Sequence, residues 1–197
     1  NADIDQSFAM IKEIGANTLR LAHYPHAKYT LQQTDKMGLV VWAENAFVNQ
    51  SVVTCSGNTA ITSPALLSEN AKLQLRELIR QQYNHASIAM WSIGNETTQG
   101  TGCGDAAGAD RAAALLKDLQ AVAKVEDPNR VTTLASNKNH DKISGITDTW
   151  AQNQYYMWYA PADAAALGQL LDLWHANQPK QPMGVSEYGA GAAISHH

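Results

Sequence analysis

Two glutamates stand where an apolar run gives way to a loop. Glu96 follows Ile88-Ala89-Met90-Trp91-Ser92-Ile93-Gly94-Asn95, and Glu187 follows Pro182-Met183-Gly184-Val185-Ser186. Each run reads as a short buried strand, and a carboxylate at the carboxyl end of such a strand is where an α/β barrel places its chemistry. A single carboxylate there is as readily a loop charge. Two of them, facing one another about 5–5.5 Å apart, suit a double displacement at a sugar carbon. One attacks and forms a covalent intermediate, while the other protonates the leaving oxygen and then activates water. These two roles require different proton affinities, so their surroundings must differ.

Other polar residues follow apolar segments in the same manner: His23 after Asn17–Ala22, Glu44 after Leu39–Ala43, and Tyr155 after a stretch ending near Gln152. The elements that must position them alternate. Asp3 can cap a helix whose apolar residues are Ile4, Phe8, Ile11 and Ile14, and Gly15 ends it. Helices are expected from about Ala27 to Met37, from Pro64 to about Tyr83, from about Ala109 to Val125 and from Asp163 to Ala176. Strands are expected at Asn17–Ala22, Leu39–Ala43, Ile88–Asn95, Val131–Ala135, about Ile146–Gln152 and Pro182–Glu187. Pro25 stops the first strand, and Asp127-Pro128-Asn129-Arg130 is a turn.

Strands alternating with helices imply right-handed βαβ units around a parallel sheet. An open doubly wound sheet makes the same pattern but uses mainly its switch point, whereas a closed barrel gathers every strand end at one mouth. Polar residues at the ends of many strands favour the barrel. The expected fold is therefore α/β, an incomplete (β/α)8 barrel with about six of eight strands, forming one domain over residues 1–197.

Composition narrows the function. Hydrophobic residues make up 45% of the 197 and charged residues 16%, which indicates a globular chain, not a disordered one. The net charge of -4, with no basic patch, argues against nucleic acid as a partner. No apolar run approaches the roughly 20 residues that cross a bilayer, so no membrane partner is expected. The sequence contains no targeting pattern, and a cytoplasmic location is the default expectation. Cys55 and Cys103 both fall in loops; two free thiols are the expected state and a disulfide the alternative. No CxxC or HExxH spacing offers a metal site.

Three stretches together carry a family resemblance. They are Asn17-Thr18-Leu19-Arg20-Leu21-Ala22-His23-Tyr24-Pro25 with Gly38-Leu39-Val40-Val41-Trp42, then Asn84-His85 through Trp91 to Asn95-Glu96, and Ser186-Glu187-Tyr188-Gly189. The chain resembles the catalytic barrel of glycoside hydrolase family 2, the family of β-galactosidases, β-glucuronidases and β-mannosidases. The resemblance implies Glu96 as acid/base and Glu187 as nucleophile, with Tyr155 donating its hydroxyl to Glu187 and Arg20 favouring the charged nucleophile. It implies Asn95 on the sugar 2-hydroxyl and His23 on the sugar. Trp158 would be a stacking surface or a packing residue, and Glu44 a substrate-binding carboxylate lining the site or a loop charge. Residues 153–159 resemble the family's NxYYxWY stretch, with Met157 where a small residue is frequent. Leu21 is larger than usual for its place, and Tyr83 replaces a commonly basic residue.

The resemblance implies hydrolysis of a terminal β-galactoside, for which Gly189-Ala190-Gly191-Ala192 is the cue. A β-glucuronidase or another β-glycosidase of the family is the alternative; a glucuronide would need a basic clamp for its carboxylate, and the sequence shows no obvious one near the strand ends. A catalytically silent sugar-binding or assembly fragment is the alternative of another class. No acidic or histidine pair after Glu44 matches the magnesium site of some β-galactosidases, so no metal and no cofactor is expected. The pattern lacks the first and eighth strands, which leaves two strand edges uncovered. A homodimer covering the open barrel edges is the expected assembly.

Overall fold

The computed structural model describes residues 2–49, 63–97, 107–137, 142–159 and 163–189. Cys55, Cys103 and residues 190–192 lie outside the described residues, and with them the thiol expectation and most of the galactoside cue. The elements run α1 (Ala2–Glu13), β1 (Thr18–Leu21), α2 (Lys28–Met37), β2 (Val40–Glu44), α3 (Pro64–Gln82), β3 (Ile88–Asn95), α4 (Gly108–Glu126), β4 (Val131–Ser136), β5 (Trp150–Asn153), α5 (Ala164–Asn177) and β6 (Met183–Glu187). Each strand pairs in parallel with its successor, giving one six-stranded sheet in the order β1-β2-β3-β4-β5-β6. Strictly sequential order leaves no point at which the winding reverses, so the sheet is not doubly wound. It is six strands of an incomplete barrel.

The period of two along each strand divides the residues between two faces. Leu19 and Leu21 of β1, and Val41 and Ala43 of β2, join a large apolar core with Leu31, Leu75, Ile79 and Leu116 from the helices. Trp42, Ala135 and Ala151 form a separate small cluster on the inner face, with Met90 against it. Arg20 lies between Leu19 and Leu21 and therefore takes the inner face. The helices are bounded as their sequences dictate. Gly38 ends α2 in the left-handed conformation, at φ 66°. Pro64 occupies the first turn of α3, and Asp163 accepts a 2.9 Å bond from the Ala166 amide to cap α5.

Two expectations change. Asp3 does not cap α1; it lies in the first turn, where its carbonyl accepts from the Ser7 hydroxyl and its negative charge suits the helix dipole. β5 begins at Trp150, not near Ile146. Residues 147–149 instead bend away from strand geometry, where the Asp148 carboxylate accepts from the Thr132 amide (2.8 Å) and hydroxyl (3.0 Å).

The turn after α4 anchors β3 and β4 together. Asp127, 1% exposed, accepts from Trp91 Nε1 at 3.0 Å and from Arg130 at 2.7 Å. Arg130 also donates to the Ile88 carbonyl at 2.8 Å. Burial pushes the Asp127 carboxyl up, but the bonds from Trp91 and Arg130 outweigh it and hold it below the ordinary carboxylate range. We expect Asp127→Ala to cost about 3 kcal/mol, because it strands the Trp91 N–H and a partly buried charge. A depressed carboxyl contributes stability that is present above its unfolded value, about 3.9, and is lost as pH falls through the folded value. The difference in urea midpoint between parent and variant should therefore be full at neutral pH and shrink below about pH 4.

Candidate active site

Arg20 reaches across the carboxyl ends of four strands. Its Nε donates to Glu44 Oε2 at 3.0 Å and one terminal nitrogen to Glu44 Oε1 at 3.1 Å, a two-point grip. That same nitrogen donates to Asn95 Oδ1 at 2.7 Å, and the other terminal nitrogen donates to Glu187 Oε1. The guanidinium also lies over the Trp42 ring, 5.1 Å from its centroid. Strands β1, β2, β3 and β6 are thus joined at one cation, although β1 and β6 are the two edges of the sheet.

Glu187 carries a second donor, the Tyr155 hydroxyl on Oε2. Burial alone would push its carboxyl up. The bonds from Tyr155 and Arg20, with the Arg20 charge, outweigh burial and hold it below the usual range. Burial and the bond to Glu187 push the Tyr155 phenol well above its ordinary value, so it stays a donor. Burial likewise works against the Arg20 charge, but Glu44 and Glu187 more than offset it and the guanidinium pKa rises.

Glu96 follows β3 with φ 50°, a left-handed conformation that few residues other than glycine adopt. Its amide donates to the Ala135 carbonyl at 2.9 Å, and its Oε1 accepts from Asn153 Nδ2 at 2.8 Å. The approach to it is tight: a Cβ on Gly94 would come within 3.0 Å of Thr97 Cγ2 and 3.1 Å of the Phe47 carbonyl oxygen. Asn95, 2% exposed, turns Oδ1 toward Arg20 and Asn153, and its amide nitrogen donates to Asn49 Oδ1 at 3.4 Å.

His23 lies beside Arg20 and Glu44. Its Nδ1 is 2.9 Å from Glu44 Oε1, and its Nε2 is 3.8 Å from Glu187 Oε1. Glu44 differs from the sequence expectation. Its side chain is fully buried, with both oxygens turned to Arg20 and His23, so it braces the cation instead of presenting a carboxylate to substrate. Trp158 is 41% exposed at the rim, stacked on Tyr159 at 4.3 Å and edge-on to Tyr155 at 5.7 Å. It packs within its own aromatic group and keeps one flank open.

Two contributors went unassigned at the level of sequence, Asn153 and Ser186. Asn153 ends β5 as Asn95 ends β3, and a polar residue at the end of an inner-face strand is the signal that could have found it. Among the described residues, no group of three or more His, Cys, Asp or Glu is arranged to hold a metal ion.

The Tyr155 bond predicts a titration. In Tyr155→Phe, Glu187 loses one of the donors that favour its charged form, so its midpoint must rise. Carbon-13 NMR of the Glu187 carboxyl carbon in parent and variant should show that upward move. An unchanged midpoint would mean that the hydroxyl does not set the charge.

The sequence profile "Glycosyl hydrolases family 2, TIM barrel domain" matches residues 1–196. A β-glucuronidase of Bacteroides fragilis is 41% identical over 192 residues, covering 98% of this chain and 26% of that protein. A crystal structure of a Bacteroides fragilis protein provisionally assigned as a β-galactosidase superposes with a TM-score of 0.83 at 32% identity, covering all of this chain and 26% of that one. A Bacteroides uniformis β-glucuronidase superposes at 0.82 with 35% identity, covering 98% of this chain and 23% of that one. The chain thus spans about a quarter of the length of these relatives. It belongs to glycoside hydrolase family 2, as part of the family's TIM barrel domain.

Proposed function

We propose that this chain supplies the carboxylate pair of a retaining β-glycosidase acting on a terminal, non-reducing β-linked sugar. The observation that carries this reading is the environment of Glu187. A buried cation and a phenol converge on its two oxygens and keep it charged, as a nucleophile requires. Glu96, held by the neutral amide of Asn153 on β5, two strands along the sheet, is the acid/base.

In the first half of the reaction Glu187 attacks the anomeric carbon while Glu96 gives its proton to the glycosidic oxygen. The carbon–oxygen bond breaks, the alcohol departs, and a glycosyl ester of Glu187 forms. Glu96, now a carboxylate, then takes a proton from water as the water oxygen attacks the same carbon. The ester breaks, and the sugar leaves with both carboxyl groups restored. The Asn95 amide nitrogen gives one N–H to Asn49, and its second N–H suits a donated bond to the sugar 2-hydroxyl. Glu44 and His23 keep Arg20 in place throughout.

For the sugar, the similarity to a β-glucuronidase at 41% identity supports a β-D-glucuronide. A β-galactoside remains the second reading, supported by the provisional β-galactosidase that matches at a TM-score of 0.83. A panel of nitrophenyl β-glycosides, assayed on the native polypeptide, tests both. We expect hydrolysis with retained configuration, fastest on the glucuronide. Glu187→Gln should reduce it to background, and Glu96→Gln by about 10²–10⁴-fold. Preference for the galactoside would favour the second reading. Absence of hydrolysis on every sugar, or activity that survives Glu187→Gln, would overturn the proposal.

A further inference from the structure

Asn153 is 2% exposed and unused by the reaction as written above, yet it lies between the two carboxylates. Its Nδ2 donates to Glu96 Oε1 at 2.8 Å and to Asn95 Oδ1 at 3.0 Å, and its Oδ1 is 2.6 Å from Ser186 Oγ. Ser186 immediately precedes Glu187 on β6. We infer that Asn153, oriented through Asn95 and anchored by Ser186, is a positioning residue for Glu96 that aims the acid's proton at the leaving oxygen and ties its placement to the strand bearing Glu187. This rests on the assignment of Glu96 as acid/base.

The orientation of the amide follows from its neighbours. Arg20 has no acceptor, so the Asn95 atom that it meets at 2.7 Å must be the oxygen. The Asn153 atom facing that oxygen must then be the nitrogen, which makes the atom facing Ser186 the oxygen. A reversed amide would set Oδ1 against both the Asn95 oxygen and the Glu96 carboxylate, leaving three acceptors together in a buried place. The Ser186 hydroxyl therefore donates to Asn153; a hydroxyl serves either direction of the amide, so Ser186 anchors the group while Arg20 and Asn95 set its direction.

The consequence for Glu96 is geometric. The Asn153 amide N–H engages Oε1 at 2.8 Å and so fixes which edge of the carboxyl group faces β5. The bond also fixes rotation of the carboxyl plane, in a residue whose backbone already sits in a sparsely populated conformation. An acid that must deliver a proton along one line gains from both constraints.

Leaving-group dependence tests this in the native polypeptide. A dinitrophenolate leaves without protonation, whereas a phenolate needs the acid. We expect Asn153→Ala to raise the kcat/KM ratio of 2,4-dinitrophenyl to phenyl β-glycoside about tenfold, which corresponds to about 1.4 kcal/mol. Ser186→Ala should raise it less, and Glu96→Ala the most, about a hundredfold or more. A partly unfolded preparation lowers both rates equally and leaves the ratio unchanged. Ser186→Ala, which keeps the amide, provides the second reading if Asn153→Ala fails to fold. If Glu96→Ala raises the ratio but neither Asn153→Ala nor Ser186→Ala does, the inference is overturned and the proposed reaction stands. If Glu96→Ala leaves the ratio unchanged, or the parent hydrolyses neither glycoside, both fall.

Discussion

The constraint on which the structure depends is the placement of one guanidinium among four strand ends. Arg20 has five N–H donors in a rigid plane, and lysine could not reproduce the set from a single ammonium. The two-point grip of Glu44 fixes the plane of the fork, and only then do the remaining donors point at Asn95 and Glu187. Removing a charged pair from water is expensive, and Coulomb attraction alone does not guarantee a return. What makes this burial tolerable is that several directional bonds surround the cation, together with the face of Trp42. The function of the strand end and the stability of the sheet's inner face thus share the same atoms. Glu44 illustrates the point: it stabilises nothing by itself at such depth, yet without it Arg20 would be a buried charge with too few acceptors.

The period of two in the strands explains why this polar assembly can exist beside an apolar core. Leu19 and Leu21 bind β1 to the helices, and the residue between them must face the other way. On the inner face the floor is apolar, with Trp42, Met90, Ala135 and Ala151, and the polar groups gather toward the carboxyl ends. Parallel strands in sequential order point all those ends in one direction. Local alternation and sheet order aim these side chains the same way, and the curl of the sheet, which draws its edges β1 and β6 together, brings residues 167 positions apart, Arg20 and Glu187, into contact.

This division also explains what could be read in advance. In the sequence, Glu96, Glu187 and Tyr155 are marked both by strand-end position and by a family resemblance, and Arg20 by the resemblance alone; the structure brings Arg20 and Tyr155 onto Glu187. The α/β alternation was legible because most strands are apolar runs bounded by turn residues. The start of β5 was not. Ile146-Thr147-Asp148-Thr149 has strand-like composition, but the segment is bent, with the Asp148 carboxylate engaging Thr132 through a long-range bond that composition does not reveal. Glu44 was half legible: the rule that places carboxylates at strand ends cannot tell one that faces substrate from one that faces an arginine across the sheet. Asn153 and Ser186 stayed hidden for a related reason. Both sit inside stretches that the resemblance marks, but their meaning lies in contacts from β5 to β6 and, past β4, to the end of β3, which a motif does not reveal.

Glu96 shows how such long-range pairings and local backbone strain support each other. A left-handed backbone at a residue with a side chain is disfavoured by about 1–3 kcal/mol. Its amide is bonded to the β4 carbonyl of Ala135, and its carboxyl to an amide on β5. Segment 47–49 adds a further restraint, since Asn95 donates to the Phe47 carbonyl and accepts from the Asn49 amide. The conformation is therefore over-determined from three sides, and relaxing it would break bonds on each. A side chain on an ordinary extended residue would point to one face of the sheet or the other. The left-handed turn instead projects Glu96 from the end of β3 toward β5, within reach of Asn153. The backbone strain is thus part of how the site sets its geometry, and the hydrogen bonds that hold it are the same ones that orient the carboxyl group.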